Sequence, residues 1–244
     1  MYQFFVDSSQ VTEQEAIIIG NDVNHIKNVL RMKPGEEIQV NDGEHTWLCE
    51  VKELHAEQVT AFIKEQVENS ELPVKICLFQ GLPKADKLEN IIQKSVELGA
   101  YEIVPVAMKR CVVKLDEKKQ DAKRKRWQAI AESAAKQAKR SLIPDVRSVM
   151  NYKEALAYAG DMDILLLPYE HAEGMKRTRE VLYGIKPGSS IGILIGPEGG
   201  FDEDEVELAM QRGAEVITLG KRILRTETAG PAVLAMLGLC LEQD

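Results

Sequence analysis

The sequence predicts an α/β fold with a mostly parallel sheet, preceded by a small β-barrel. Three observations carry this. From residue 73 onward, short apolar runs alternate with helical segments, the rhythm of a sheet whose crossovers are helices. Before residue 70 the chain is mostly short β-branched or aromatic runs. Between them ENSELP, at 68–73, is polar, aperiodic and closed by proline, as expected of a linker. The expected domains are therefore 1–72 and 73–244.

In the first domain YQFFV, AIIIG, EEIQVND, TWLCEVKEL and QVTAFIKEQV read as strands. Asn41-Asp42-Gly43 marks a hairpin, because Asp-Gly tolerates the positive φ of a tight turn. One helix interrupts the strands. Asn21 or Asp22 can cap it, His25, Ile26, Val29 and Leu30 follow, and Lys33-Pro34-Gly35 ends it.

In the second domain VKICLF is a buried strand. KADKLENIIQKSVELG is a helix, with Leu88, Ile91, Ile92 and Val96 on one face and Gly99 at the C-terminal cap. YEIVPV is the next strand, and residues 117–140 read as a long charged helix. YKEALAYA is a short helix, and DILLLP and SIGILIG are strands. DEDEVELAMQRG is a helix whose acidic first turn suits the macrodipole. AEVITLG is a strand and 226–241 the last helix.

No apolar run is long enough for a transmembrane helix. MYQFFVDSSQ lacks the basic and apolar regions of a secretory signal. The four cysteines contain no C-x-x-C pair and the four histidines have no metal-ligand spacing, so neither a metal site nor a disulfide framework is expected. A reduced, cytoplasmic protein follows. The net charge of −8 hides an uneven distribution: −9 over residues 1–72, +8 over 73–150 and −7 over 151–244. The central third can attract phosphate although the whole chain is an anion. A solvated helix face explains such a run equally simply.

Ligands of open parallel sheets bind beyond the C-terminal ends of strands. Three strand ends stand out: Leu165 to Glu170, Gly196-Pro197-Glu198-Gly199-Gly200, and Leu219 to Thr228. Glycines there bare backbone N–H and C=O groups to a polar ligand. Each segment also has a plain structural explanation. GPEGG serves as a tight turn, and RTET as a helix start with Thr226 as cap. The phosphate-binding G-x-x-x-x-G-K-[ST], the dinucleotide G-x-G-x-x-G and the nucleophile elbow G-x-S-x-G are all absent.

LIGPEGGF followed by LGKRILRTETA is similar to the paired C-terminal motifs of the bacterial 16S ribosomal RNA uridine-N3 methyltransferases, the small-subunit methyltransferase E family. NHIKNVLRMKPGE at 24–36, QKSVELG at 93–99, KRCVVKL at 109–115 and AKRSLIPDV at 138–146 resemble further signatures of that family, so the likeness spans nearly the whole chain. One departure is Tyr2-Gln3, near which the family pattern often carries an arginine.

The resemblance implies a PUA-like barrel followed by a SPOUT domain with a trefoil knot. It implies S-adenosylmethionine as cofactor, no metal, 16S rRNA of the small ribosomal subunit as partner, and a homodimer. The cofactor would be held by the segments containing Leu166, Leu167 and Pro168, then Gly196, Pro197, Glu198, Gly199 and Gly200, then Leu219, Gly220, Ile223, Leu224 and Thr226. Arg225 is the candidate for stabilising charge on the uracil or binding phosphate, and Glu198 and Glu227 are candidates for proton handling. An Arg225 ion pair with either carboxylate is the structural alternative. His25, Arg31, Lys109, Arg110, Lys114, Lys139, Arg140 and Ser141 are candidate RNA contacts. Two rival functions remain: a ribose 2′-O RNA methyltransferase of the same fold, and a non-catalytic RNA-binding assembly factor.

Overall fold

The computed structural model describes residues 1–172 and 174–242, the side chain of Glu117 excepted. The chain divides into two units. One is Met1–Glu71 together with Ala135–Ile143; the other is Leu72–Ala134 together with the chain from Pro144 onward.

In the first unit the strands are β1 (Tyr2–Phe5), β2 (Glu15–Ile19), β3 (Glu37–Asn41), β4 (Thr46–Leu54) and β5 (Gln58–Val67), in the order β1-β3-β4-β5-β2. β1 pairs parallel to β3 and the other pairs are antiparallel. Register shifts at Leu48/Cys49 and Val51/Glu53 interrupt the long β4–β5 ladder, and such bulges bend and twist a strand. The result is a curled half-barrel. Alternate residues such as Ile38, Val40, Cys49, Val51, Val59 and Ala61 fill its core. Helix α1 (Asn21–Asn24) runs into a π-helical turn over His25–Val29, which buries Ile26. Arg31 follows in the left-handed region, at φ 54°.

The expected boundary at 72/73 is incomplete, because residues 135–143 return to the first unit. Glu71 explains the return. Its carboxylate accepts from Arg140 Nε at 2.9 Å and from the Ser141 backbone N–H at 2.8 Å. Thr46 Oγ1 lies 3.0 Å from Ser141 Oγ, Ser70 Oγ donates to the Lys139 carbonyl at 2.8 Å, and Gln3 Nε2 donates to the Arg140 carbonyl. Nothing in local sequence announces contacts some seventy residues apart. Two of the RNA candidates lie in this network. Arg140, 3% exposed, and Ser141, 8% exposed, are structural residues of this network. Only Lys139 of that motif is exposed.

In the second unit β6 (Lys75–Gly81), β7 (Glu102–Ala107), β8 (Asp145–Val146), β9 (Met150–Asn151), β10 (Ile164–Pro168), β11 (Ser190–Ile195) and β12 (Glu215–Ile217) form one parallel sheet. The order is β12-β10-β11-β6-β7-β8, with β9 also on β7. The sheet core is the continuous apolar run that the sequence predicts: Ile76, Leu78 and Phe79 of β6 and Ile193 and Leu194 of β11 have no exposed surface.

Helices α2 (Lys87–Glu97), α4 (Tyr152–Ala159), α6 (Glu203–Gln211) and α7 (Thr226–Leu241) fall where periodicity puts them. Gly99 ends α2 at φ 92°, and a Cβ there would also lie 2.7 Å from Leu72 Cδ1. Helix α3 (Glu117–Gln137) stops short of the expected residue 140. The Arg140 N–H closes on the Ala135 carbonyl at 2.9 Å, and Lys139 turns left-handed. Helix α5 (Met175–Tyr183) is not predicted by the sequence. Its stripe of Met175, Thr178, Val181 and Leu182 is short and includes a threonine; the helix buries Thr178 and Leu182. It is held by a reciprocal pair of bonds, from Thr178 Oγ1 to the Thr218 carbonyl at 3.1 Å and from the Thr218 N–H to Thr178 Oγ1 at 3.0 Å. Among the described residues no helix is long and apolar enough to cross a membrane.

Candidate active site

Strand β11 lies between β10 and β6; it connects toward β10 and β12, whereas β6 connects the other way, to β7. The strand ends at such a switch point leave a crevice. Here it is a cleft of about 970 Å³ lined chiefly by three loops of the second unit: residues 168–170, 172 and 174–175, then 195–201, then 218–227. Of the expected cofactor residues, Pro168, Gly196 to Gly200, Leu219, Gly220, Ile223, Leu224 and Thr226 line it. Leu166 and Leu167 do not. Both are fully buried in β10 and paired with Glu215 and Val216 of β12, so the sheet consumes them.

The loops are fastened from below. Thr226 Oγ1 donates to the Gly196 carbonyl at 2.6 Å and accepts from Gln80 Nε2 at 2.9 Å. Thr226 is thus a tie between the start of α7, the end of β11 and the end of β6. It is not the helix cap that sequence alone suggests; Arg225 occupies that position without a side-chain capping bond. Gly81 lies under the same loop, where a Cβ would stand 2.7 Å from the Pro197 nitrogen. Gly200, at φ 68°, and Gly220, at φ 103°, face open space, and a Cβ on either would meet no atom within 4 Å.

The charged rim has an arrangement that sequence reasoning misses. Lys87 Nζ lies 3.1 Å from Glu198 and 3.3 Å from Glu227. Glu198 also accepts from the Lys84 N–H at 3.0 Å. Burial pushes the Glu198 carboxyl upward, but the Lys84 N–H, its own N–H and Lys87 outweigh it and hold the group below the usual carboxylate range. Glu227 is also held low, chiefly by its own backbone N–H and then by Lys87 and Arg225, against partial desolvation. Arg225 is exposed, and among the described residues it makes no ion pair. Lys87 has taken both of the carboxylates expected to compete for it. A clue is present in the sequence: a cation in the first turn of a helix opposes the macrodipole and calls for another reason to be there. Gln80 carries no such clue, being one polar residue at the end of an apolar strand.

Of the basic residues, Lys109 binds Asp202 at 2.8 Å and Asp204 at 2.6 Å, and Arg110 Nη1 donates to the Gly199 carbonyl at 3.1 Å. Both therefore brace the 196–205 segment while remaining half exposed. Lys114 is exposed. In the first unit His25, Arg31 and Lys139 are exposed, His25 with its ring edge-on to Phe4 at 6.4 Å. Among the described residues no group of three or more His, Cys, Asp or Glu is placed to hold a metal ion.

Comparison with known proteins identifies the family. A sequence model described as an RNA methyltransferase domain matches residues 70–238, and one described as an RNA methyltransferase PUA domain matches 18–64. The ribosomal RNA small subunit methyltransferase E of Bacillus subtilis is 39% identical over 94% of this chain and 93% of its own. The chain belongs to the ribosomal RNA small subunit methyltransferase E family. A solved family member from Neisseria gonorrhoeae, described as bound to S-adenosyl methionine, is 32% identical with a TM-score of 0.81, covering 99% of this chain and 98% of that one. A methyltransferase from Legionella pneumophila, described as in complex with the same cofactor, is 29% identical with a TM-score of 0.76, covering 97% and 96%. The expected architecture, a PUA-like β unit and an α/β methyltransferase unit, is the one found.

Proposed function

We propose that this member of the methyltransferase E family uses S-adenosylmethionine to methylate N3 of a uridine in 16S rRNA of the small ribosomal subunit, in the cytoplasm. The observation that carries the reading is the cleft at the β10–β11–β12 strand ends, within a chain whose family model is that of an RNA methyltransferase. Its residues suit the cofactor. Gly200 and Gly220 open their backbones to free space, which accommodates close approach and hydrogen bonding by a polar ligand. Pro168, Leu219, Ile223 and Leu224 supply apolar wall, as ligand sites usually require. Backbone groups of 168, 196–200 and 219–224 would hold it. When bound, the cofactor supplies a methyl group activated on a sulfonium sulfur.

The chain's own residues then position and neutralise. N3–H of uracil is a weak acid. Its proton must leave so that the nitrogen electron pair forms the N–C bond, while the S–C pair returns to sulfur. Arg225, exposed at the rim, stabilises negative charge on the uracil or holds an adjoining phosphate. Glu198 and Glu227, held low, are ionised at neutral pH and can accept a proton, though as weak bases. Lys114 in one unit and His25, Arg31 and Lys139 in the other remain candidate RNA contacts, with Lys109 and Arg110 able to contribute the part of their charge that the acidic start of α6 leaves. A homodimer belongs to the same reading: α7 exposes Ala235 and Leu239, the latter 85% exposed, an apolar stripe that a second copy would cover. So does the trefoil threading of the cleft loops.

The test is transfer from labelled S-adenosylmethionine to small subunits lacking the modification, followed by nucleoside digestion. The expected product is 3-methyluridine. Label in a 2′-O-methyl nucleoside would move the reading to ribose methylation, and absence of both transfer and cofactor binding would move it to an RNA-binding assembly factor. Arg225→Ala is expected to reduce methyl transfer by roughly 10²-fold or more, the size typical of losing one transition-state donor. Cofactor affinity, read by calorimetry, should change little.

A further inference from the structure

Resting on that functional reading, we propose that Lys87 is a positioning residue of the active site: its ammonium clamps Glu198 and Glu227 together, locking two of the cleft loops to one another. Three observations converge. Lys87 contacts one carboxylate from each loop, Glu198 of the 196–200 segment at 3.1 Å and Glu227 at the start of α7 at 3.3 Å. It is the first residue of α2, where the helix dipole disfavours a cation, so the two carboxylates offset a local cost. With Lys87 present, Glu198 is held on two sides, by Lys87 and by the Lys84 N–H, so the 84–87 segment sets the position of the 196–200 loop.

The role separates from mere support of the fold because Lys87 is a third exposed and the apolar face of α2 does not use it. The experiment compares Lys87→Met, Lys87→Arg, Glu227→Gln and the double variant Lys87→Met/Glu227→Gln, each purified full length. It reads kcat and KM for methyl transfer, cofactor Kd by calorimetry, and thermal midpoint. Lys87→Met should lower kcat by about 10²-fold, the scale of an ångström misplacement near the chemistry. Cofactor binding should weaken less than kcat, and the midpoint should fall by no more than the loss of a part-exposed ion pair explains. Lys87→Arg should recover most of the loss, since a guanidinium can reach both carboxylates. The double variant should be no worse than the worse single variant, because the cation matters through the carboxylate it restrains.

Full activity in Lys87→Met would overturn the proposal. So would an Arg variant as damaged as Met, losses that multiply in the double variant, or a fall in midpoint that accounts for the lost activity. If wild-type protein neither binds cofactor nor transfers methyl, it is the functional reading that fails. The acid titration of Glu198 and Glu227, followed by NMR, would then test the clamp without cofactor: Lys87→Met should move both upward, and no change would overturn it.

Discussion

Thr226 carries much of the site's order through one oxygen. It joins the Gly196 carbonyl at 2.6 Å to the Gln80 amide at 2.9 Å, in a place 6% exposed. Thr226→Val keeps the shape and removes both bonds. The stranded carbonyl, and the Gln80 amide left with its bond to the Gly81 carbonyl, should cost about 1–3 kcal/mol of stability, seen in denaturant titration, and cofactor affinity should fall with it. The carboxylates give a pH signature. Glu198 and Glu227 are held below their ordinary value of 4.5, so near that pH the unfolded chain binds more protons than the folded one. Their stabilisation is complete above 4.5 and is lost as pH falls through the folded values. The denaturation midpoint should therefore drop on acidification below 4.5, and Lys87→Met should flatten that drop by removing a cause of the depression. The identities of Glu198, Arg225 and Glu227 are readable from their motifs. Their pairing is not, because Lys87 stands more than a hundred residues away in sequence.

At the scale of elements, the site is a matter of how closely strand ends approach. The backbone of β6 at Gly81 touches the 196–197 peptide, and an alanine methyl would fall 2.7 Å from Pro197 N and 2.8 Å from Pro197 Cδ. Those atoms cannot rotate aside. Gly81→Ala should cost roughly 1–3 kcal/mol and displace the loop, so that the denaturation midpoint and cofactor affinity fall together. An affinity that is unchanged would show that the loop's seat on β6 is unimportant. Helix α2 is readable from the sequence because its burial follows its periodicity. Helix α5 is harder to read, because its stripe is short and two hydrogen bonds of Thr178 to the Thr218 segment help to hold it.

For the molecule as a whole, the chain is divided at its linker and twice more, at 134/135 and 143/144. Residues 135–143 belong to the first unit because Arg140 is buried against Glu71 and Ser141 against Thr46. Breaking a buried pair from one side leaves a stranded charge, so Arg140→Met should destabilise by about 3–5 kcal/mol, whereas Arg140→Met/Glu71→Gln should be markedly milder. Equal damage in both would mean that packing, not charge, holds the segment. By itself the sequence determined the α/β class, the β-rich start, the order of most elements and the glycine-rich strand ends. These rest on local periodicity and on backbone freedom, which neighbouring residues set. The tertiary structure alone decided that Arg140 and Ser141 are interior, that Leu166 and Leu167 belong to the sheet, that Thr226 ties three elements, and that Lys87 meets both Glu198 and Glu227. Each of these depends on which distant groups meet when the strands assemble, and a contact between distant residues leaves no periodicity along the chain.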